Sequence, residues 1–192
     1  MLKNLLKLFC ISLMLISCQS KTDYLELISN ENHLISYQLT DSNLLLKLDM
    51  IGDETNNLDG QWPKMDFYTI WVDYNHNGQA DSLIDRSFSP HTAGAAYTVC
   101  KSLMLDGGHV MTPCKFYFGA SCSKSFKATK SNEEPHVVFE MTIPRSELSM
   151  SGESIVLVID IIDGDGQRYT YPNFTYTNPF EGVLQIDSSK EG

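Results

Sequence analysis

The sequence predicts an all-β protein folded as an antiparallel β-sandwich, of the jelly-roll or immunoglobulin-like kind. Apolar residues recur with a period of two far more often than with the 3.6-residue period of a helix. Short runs rich in β-branched and aromatic residues alternate with clusters of Gly, Pro, Asn, Asp and Ser, which form turns. Many short strands separated by such turns are typical of a sandwich or barrel.

Six segments carry the strand pattern. They are residues 33–39, 44–50, 66–72, 110–118, 137–143 and 155–162. Residues 144–148 are expected to form one helical turn, and residues 24–28 are too few to assign. Residues 124–135 predict an exposed loop, or the end of a strand that runs into one.

The first eighteen residues predict export and lipid attachment. Lys3 and Lys7 accompany an apolar run that is too short to span a bilayer and ends in Leu-Ile-Ser-Cys at 15–18. This quartet resembles a bacterial lipobox. By that resemblance, residues 1–17 are a cleaved signal peptide and Cys18 carries the lipid, with palmitate as an acyl chain. An uncleaved N-terminal anchor is the alternative.

The remainder is expected to be a short linker, residues 18–23, followed by a single domain, residues 24–192. Gln19 follows the lipidated cysteine, and by resemblance to the sorting rules of two-membrane bacteria this favours the outer membrane of the cell envelope. A chain of this size can bury about 70% of its unfolded surface, so it needs no partner in order to fold.

The charge of the chain restricts its ligands. The net charge is −10, with 14 basic and 24 acidic residues, and removal of Lys3 and Lys7 with the signal peptide makes it −12. Such acidity disfavours nucleic acid and anionic lipid headgroups and favours cations or neutral molecules. The membrane is therefore expected to be a partner only through the lipid anchor.

Three cysteines follow the lipidation site: Cys100, Cys114 and Cys122. In an oxidising compartment, one disulfide and one free thiol are expected. A three-residue hairpin loop at 106–108 would set Cys100 opposite Cys114, and we favour that pair. A Cys114 to Cys122 disulfide and three free thiols remain alternatives.

The clearest chemical signal lies in residues 73–81, Asp-Tyr-Asn-His-Asn-Gly-Gln-Ala-Asp. Oxygen-bearing side chains at the first, third and fifth places, a glycine at the sixth and a carboxylate at the ninth match a loop that wraps calcium. The twelfth place is Ile84, and a strand precedes the loop, so it is not an EF-hand. The predicted ligands of a weak structural calcium site are Asp73, Asn75, Asn77, the Gln79 carbonyl, Asp81 and Asp85.

A plain turn rich in Asn, Asp and Gly is the alternative for this loop, because these residues tolerate positive φ and bond their own backbone. Residues 163–166, Asp-Gly-Asp-Gly, form a second acidic segment. There we expect a hairpin turn rather than a metal site, since Asp-Gly is a favoured tight-turn pair.

Three segments together resemble a known group of proteins. They are 65–73 (MDFYTIWVD), 139–148 (FEMTIPRSEL) and 158–166 (VIDIIDGDG). Their order and spacing are similar to those of the DOMON-like and family 9 carbohydrate-binding-module-like sandwiches of secreted bacterial proteins. The resemblance implies a jelly-roll-like sandwich with structural calcium and, in some members, a sugar or haem pocket. The region 100–122 has no counterpart in that group.

Aromatic side chains are the candidate ligand contacts, since sugar faces present C–H bonds that stack on aromatic rings. Tyr169 and Tyr171 lie two apart and would share one face of a strand, and Trp62 and Phe174 are further candidates. Core packing is the alternative for each of them, and Trp71 is expected in the core. The five histidines show no haem-binding pattern, and we expect them at the surface or in turns.

No motif of the sequence carries a catalytic mechanism, so an enzyme is not expected. Glu140 and Asp160 could serve as a glycosidase pair only at a separation that sequence does not give. The sequence therefore predicts a membrane-anchored binding module with structural calcium and a glycan as ligand. The alternative is a structural or protein-interaction lipoprotein, such as an inhibitor or assembly factor, that uses a sheet edge or the 100–122 region.

Overall fold

The computed structural model describes residues 23–56, 66–79, 81, 84–93, 96–103, 115–149, 154–173, 180 and 182–187. For residues 91–93, 96–103 and 115–117 it describes the backbone alone. Within these residues the secondary structure consists of strands and a single 3₁₀ turn, Arg145–Glu147. The strands are β1 Leu25–Ser29, β2 Leu34–Leu39, β3 Asn43–Met50, β4 Phe67–Val72, β5 Arg86–Ala93, β6 Ala96–Leu103, β7 Lys115–Lys127, β8 His136–Pro144, β9 Ser154–Ile162, β10 Arg168–Tyr171 and β11 Leu184–Asp187.

The strands form two antiparallel sheets that pack as a β-sandwich. The first sheet has the order β1-β2-β3-β8-β7, and the second has the order β6-β5-β4-β9-β10. β10 and β11 both pair with β9, one after the other along its length. β10 pairs with residues 159–162 of β9, and β11 pairs with residues 154–157. The predicted all-β sandwich is confirmed.

The two sheets are joined by hydrogen bonds through the long strand β7. Its first part pairs with β6 and its second part, from Ser121 to Lys127, pairs with β8. The register shifts at the change of partner, where Thr98 and Val99 of β6 face Ser121 and Tyr117, so residues 118–120 bulge out. Sandwich corners are commonly made by strands that change sheet at such bulges.

Two strand pairs interlock the sheets. β3 pairs with β8 in the first sheet, and the strands that follow each of them, β4 and β9, pair in the second sheet. The same arrangement joins strands B with E and C with F of the immunoglobulin sandwich. Because β3 and β4 are consecutive in the chain, as are β8 and β9, the chain passes from the first sheet to the second after β3 and again after β8.

The core lies between the sheets, where alternate residues of each strand point inward. The burial pattern of β2, with every second residue buried, shows this period of two directly. The rings of Tyr68 in β4 and Phe139 in β8 meet edge to face across the core, with centroids 4.9 Å apart. A void of only about 10 Å³ remains between the sheets. It is lined by Ile35, Leu46, Leu48, Tyr68, Ile70 and Ile159.

Most of the strand predictions agree with the structure. β2, β3, β4, β8 and β9 lie within a residue of their predicted bounds, the predicted turn at 144–148 is the 3₁₀ turn, and Trp71 is buried. The strand predicted at 110–118 begins at Lys115, and β7 runs on to Lys127 before the loop that was expected from 124. Residues 104–114 lie outside the described part of the chain.

The expectation that the histidines lie at the surface or in turns was wrong for His136, which is 0% exposed and lies inside β8. The His136 side chain lies on the outer face of the first sheet, where its Nε2 is 3.8 Å from Oδ1 of Asp49. His33 lies in the turn between β1 and β2, as expected, but is buried there at 2% exposure. Among the residues that the structure describes, no helix has the length and the apolar composition that a membrane span requires.

Candidate metal centre and ligand-binding groove

The predicted calcium loop connects β4 to β5 at the end of the central strand pair of the second sheet. Its first residue, Asp73, is buried and donates its backbone N–H to the carbonyl of Val156 in β9 at 3.1 Å. The loop then turns sharply, with His76 at φ 59° and Gly78 at φ 72°. Glycine fits the second position because it adopts positive φ without steric cost.

The Asp73 carboxylate organises the first half of the loop. Its two oxygens accept backbone hydrogen bonds, from Asn77 at 3.3 Å and from Gly78 at 2.9 Å. Within the same half, Gln79 donates its N–H to Oδ1 of Asn77 at 2.8 Å. The chain therefore curls around the first carboxylate.

The Asp81 carboxylate is the meeting point of the two asparagine side chains. Its Oδ2 lies 2.6 Å from Nδ2 of Asn75 and 2.5 Å from Nδ2 of Asn77. The backbone N–H of Asp81 in turn donates to Oδ2 of Asp85 at 2.7 Å. The predicted side-chain ligands of the loop are thus brought together, and each is within hydrogen-bonding distance of another part of the loop.

The Asp85 carboxyl closes the loop from its far end. It is buried and accepts the backbone N–H of Tyr74 at 2.9 Å through its other oxygen. Burial raises the pKa of Asp85 to about 6, and the charges of Asp73 and Asp81 add to the rise. The three carboxyl groups are therefore close enough to repel one another, which is the electrostatic condition that a bound cation relieves.

A second set of contacts braces the loop from outside. Nη1 of Arg86 lies 2.6 Å from Oε2 of Glu147, and its guanidinium carbon stacks 3.7 Å from the centroid of the Tyr74 ring. The Tyr74 hydroxyl donates to the carbonyl of Ser146 at 3.4 Å. These contacts hold the loop against the 3₁₀ turn that links β8 to β9.

The donor set of the loop fits calcium, which prefers oxygen ligands. Oδ1 of Asn75 is buried and receives no hydrogen bond from the described residues. Rotation of the Asn75 amide would exchange nitrogen for oxygen and aim a further oxygen at the place next to Asp81. As the side chains stand, no group of three acidic, histidine or cysteine side chains in the described part of the chain is arranged to hold a metal.

The acidic segment 163–166 forms a turn, as the sequence predicts. It joins β9 to β10, with the N–H of Asp163 bonded to the carbonyl of Gln167 at 3.0 Å. The Asp163 side chain accepts the N–H groups of Asp165 and Gln167. Its carboxylate is therefore used inside the turn.

The aromatic residues Tyr169 and Tyr171 lie on one face of β10, as predicted, and both contact His33. The His33 ring stands edge-on to them, with centroid distances of 4.6 and 5.7 Å. The Tyr171 hydroxyl lies 2.9 Å from Nδ1 of His33 and accepts from Asn30 at 3.0 Å. Burial lowers the pKa of His33 to about 4. The candidates Trp62 and Phe174 lie outside the described residues.

Two of the three cysteines in the disulfide prediction, Cys100 and Cys122, lie within the described residues. β6 pairs Cys100 with Phe116, which is two residues from the register that would face Cys114, and Cys114 itself lies outside the described residues. Cys18 also lies outside them. Cys122 is a free thiol whose sulfur lies 3.7 Å from the Tyr68 hydroxyl. Burial raises the pKa of Cys122 to about 12.

A groove of about 1690 Å³ runs across the outer face of the first sheet. Its wall carries both signs of charge, from four carboxylates and three lysines. The larger polar and charged side chains of the wall include Tyr24, Glu26, Lys47, Asp49, Lys127 and Glu140. Two lysines are paired with carboxylates inside the groove, Lys47 with Asp49 at 2.8 Å and Lys127 with Glu140 at 3.7 Å.

The chain matches no protein-family model, no curated protein and no solved structure. Functional interpretation therefore depends on the geometry of the loop and of the groove. The sequence predicted the loop but not the groove. The groove combines residues from β1, β2, β3 and the β7 to β8 connection, and only the outward positions of the period-two pattern in 34–38 gave any signal for it.

Proposed function

We propose that this chain is a binding module of the cell envelope, anchored by a lipid on Cys18, stabilised by calcium and directed at a glycan. The observation that carries the proposal is the convergence of the predicted oxygen ligands in the loop 73–85. Asn75 and Asn77 meet on Asp81, Asp81 bonds to Asp85, and Asp73 anchors the turn. Kinship with the DOMON-like and family 9 carbohydrate-binding-module-like sandwiches is part of the proposal.

Calcium would have a structural role in this protein. The six candidate ligands lie in one connection at the end of β4, and none of them lines the groove. A bound divalent cation would offset the repulsion among Asp73, Asp81 and Asp85 and fix the β4 to β5 connection. Three carboxylates with neutral amides give a weak site, with a dissociation constant on the order of 10⁻⁴ to 10⁻³ M.

The groove supports a glycan as the ligand. Neutral, hydroxyl-rich molecules bind to walls that offer both donors and acceptors, and here Ser36 and Gln38 of β2 line the groove together with the charged pairs. Tyr24 lies at one side and is 38% exposed, so its ring is available for stacking on a sugar. Burial, and secondly the charge of Glu140, raises the pKa of Tyr24, which places the phenol close to that carboxylate.

Tyr169 and Tyr171 offer a less accessible platform than Tyr24 does. Both side chains pack against the core, and the Tyr171 hydroxyl is occupied by Asn30 and His33. We therefore place the glycan in the groove rather than on β10.

A glycan array probed with the soluble domain, with and without calcium, tests this function. We expect binding to a defined set of sugars, loss of that binding in Tyr24→Ala, and its retention in Tyr169→Ala. Loss in Tyr169→Ala alone would contradict the groove as the site. Failure of the folded parent protein on every sugar would contradict a glycan ligand.

One observation favours the alternative, a protein-interaction lipoprotein. Phe118 lies at the corner where β7 changes sheet and is 89% exposed. A large aromatic side chain held in water on a bulge is a candidate contact for another protein. If Phe118→Ser abolishes capture of a partner by the anchored protein while the glycan array stays negative, the interaction role replaces the glycan role.

A further inference from the structure

A buried lysine and a buried aspartate contact each other between the two sheets. Nζ of Lys124, in β7 of the first sheet, lies 2.8 Å from Oδ2 of Asp66, the residue before β4 of the second sheet. The two side chains are 1% and 0% exposed. The ring of Phe139 covers the amine from one side, with its centroid 5.4 Å from Nζ.

This burial distinguishes the pair from the other lysine pairs in the described part of the chain. Lys47 contacts Asp49 at the same distance of 2.8 Å, but its side chain is 21% exposed, and Lys127 and Glu140 are both 46% exposed. Holding a full charge on both partners away from water is costly. Reaction of the pair to a neutral product would remove that cost and expel a water molecule from an apolar site.

A third carboxyl supplies a proton to the pair. The Asp53 carboxyl lies near that of Asp66, and the interaction between the two favours a proton on Asp53. Burial raises the pKa of Asp53 to about 6, and the neighbouring Asp66 adds to the rise. The N–H of Thr55 donates to Oδ1 of Asp53 at 2.9 Å and so orients the carboxyl.

A backbone donor acts on the other oxygen of Asp66. The N–H of Gly164, in the β9 to β10 turn, donates to Oδ1 at 2.9 Å. Attack on the carboxyl carbon would move negative charge onto this oxygen, where a fixed N–H stabilises it. Amine, carboxyl, proton carrier and oxyanion donor are therefore assembled from four segments of the fold.

We propose that Lys124 and Asp66 condense into an intramolecular amide that links the two sheets covalently. The ammonium first passes a proton to the carboxylate, and the neutral Nζ attacks Cγ of Asp66. Asp53 delivers its proton to Oδ2 and takes the second proton from nitrogen, the C–Oδ2 bond breaks, and Oδ2 leaves as water. The new bond is Nζ–Cγ, nothing is oxidised or reduced, and Asp53 ends as it began.

Peptide mapping of the native, lipid-anchored protein tests this proposal directly. Trypsin cannot cut after an acylated lysine, so the digest should contain residues 65–86 joined to residues 116–127, one water lighter than the two peptides together. Recovery of 65–86 and 116–124 as separate, unmodified peptides from the folded protein would overturn the proposal.

Four variants separate the chemistry from a merely structural ion pair. Lys124→Arg keeps the charge and should give no joined peptide, and Asp53→Ala should abolish or strongly slow its formation. Asp66→Asn should release ammonia in place of water and yield a joined peptide of the same mass as the parent. Lys47→Arg, at the matched but exposed pair, should leave the joined peptide unchanged. A joined peptide that persists in Lys124→Arg would assign the link to another residue and refute the proposal.

Discussion

The backbone N–H of Asp81 and Oδ2 of Asp85 are 2.7 Å apart, so the ninth residue of the loop is tied to its thirteenth. Oδ1 of the Asp85 carboxyl accepts a hydrogen bond from the backbone N–H of Tyr74, at the opposite end of the loop. One buried carboxyl therefore joins the two ends of the connection between β4 and β5. The loop is preformed by hydrogen bonds within it, and a cation would add to an arrangement that already exists.

His33 should titrate far below an ordinary histidine. Its pKa in the folded protein is lowered to about 4, against 6.5 when exposed, because the ring is buried between Tyr169 and Tyr171. The unfolded chain therefore binds more protons between these values, and the contribution of His33 to stability, present above pH 6.5, is lost as the pH falls towards 4. We expect a loss of about 3 kcal/mol.

The ring resonances of His33, followed by NMR against pH, measure this value. A midpoint near 4 is expected. A midpoint near 6.5 would show that the ring is solvated in solution and would contradict its place in the aromatic cluster.

Arg168 should stabilise β10 through its pair with Asp160. The guanidinium bonds both carboxylate oxygens, with Nε to Oδ1 at 2.7 Å, and the Asp160 side chain is only 7% exposed. Arg168→Met leaves a buried carboxylate unpaired and should lower the free energy of unfolding by about 1–3 kcal/mol. Arg168→Lys should recover part of the loss, since lysine lacks the planar fork.

Urea unfolding measures the free energy of unfolding of these variants, and Lys127→Met is the matched control. Lys127 and Glu140 are both 46% exposed, and such pairs contribute about 0–1 kcal/mol. If Lys127→Met lowers the free energy of unfolding as much as Arg168→Met does, the buried position of the Arg168–Asp160 pair does not explain its contribution to stability.

Cys122 should be unreactive in the folded protein. Its thiolate is disfavoured because burial raises the pKa to about 12, and the thiolate is the form that reacts with alkylating reagents. Iodoacetamide at pH 8, followed by peptide mapping, should label Cys122 only after unfolding. Labelling of the native protein at the rate of a free thiol would contradict its packed position beside Tyr68.

The sequence predicted the parts of this molecule that depend on neighbouring residues. Alternating apolar residues in 34–39 indicate a strand buried on one face, and the nearly continuous apolar run 155–162 indicates a strand buried on both. The oxygen spacing in 73–81 indicates the loop. β5 was missed because it carries Pro90 and few apolar residues. The structure accommodates Pro90 because β4 pairs only with residues 86–88 of β5, so the proline has no partner on that side.

Features assembled from distant segments were beyond such reasoning. Lys124 and Asp66 are separated by most of four strands, and nothing near either residue in the chain indicates that they meet. The groove likewise depends on the register of β1, β2, β3 and β8. Cross-strand register is set by the whole sheet, because a slip of one residue exchanges the inward and outward faces.

The central claim, that calcium binds the loop 73–85, is tested most directly by thermal unfolding of the soluble domain in 10 mM calcium and in chelator. We expect calcium to stabilise the fold by about 1–3 kcal/mol, which for a domain of this size raises the melting temperature by about 3–10 °C. Asp73→Ala should abolish the rise, and Asp163→Ala, in the other acidic turn, should keep it. An unchanged melting temperature of the parent protein at every calcium concentration up to 10 mM would contradict the claim.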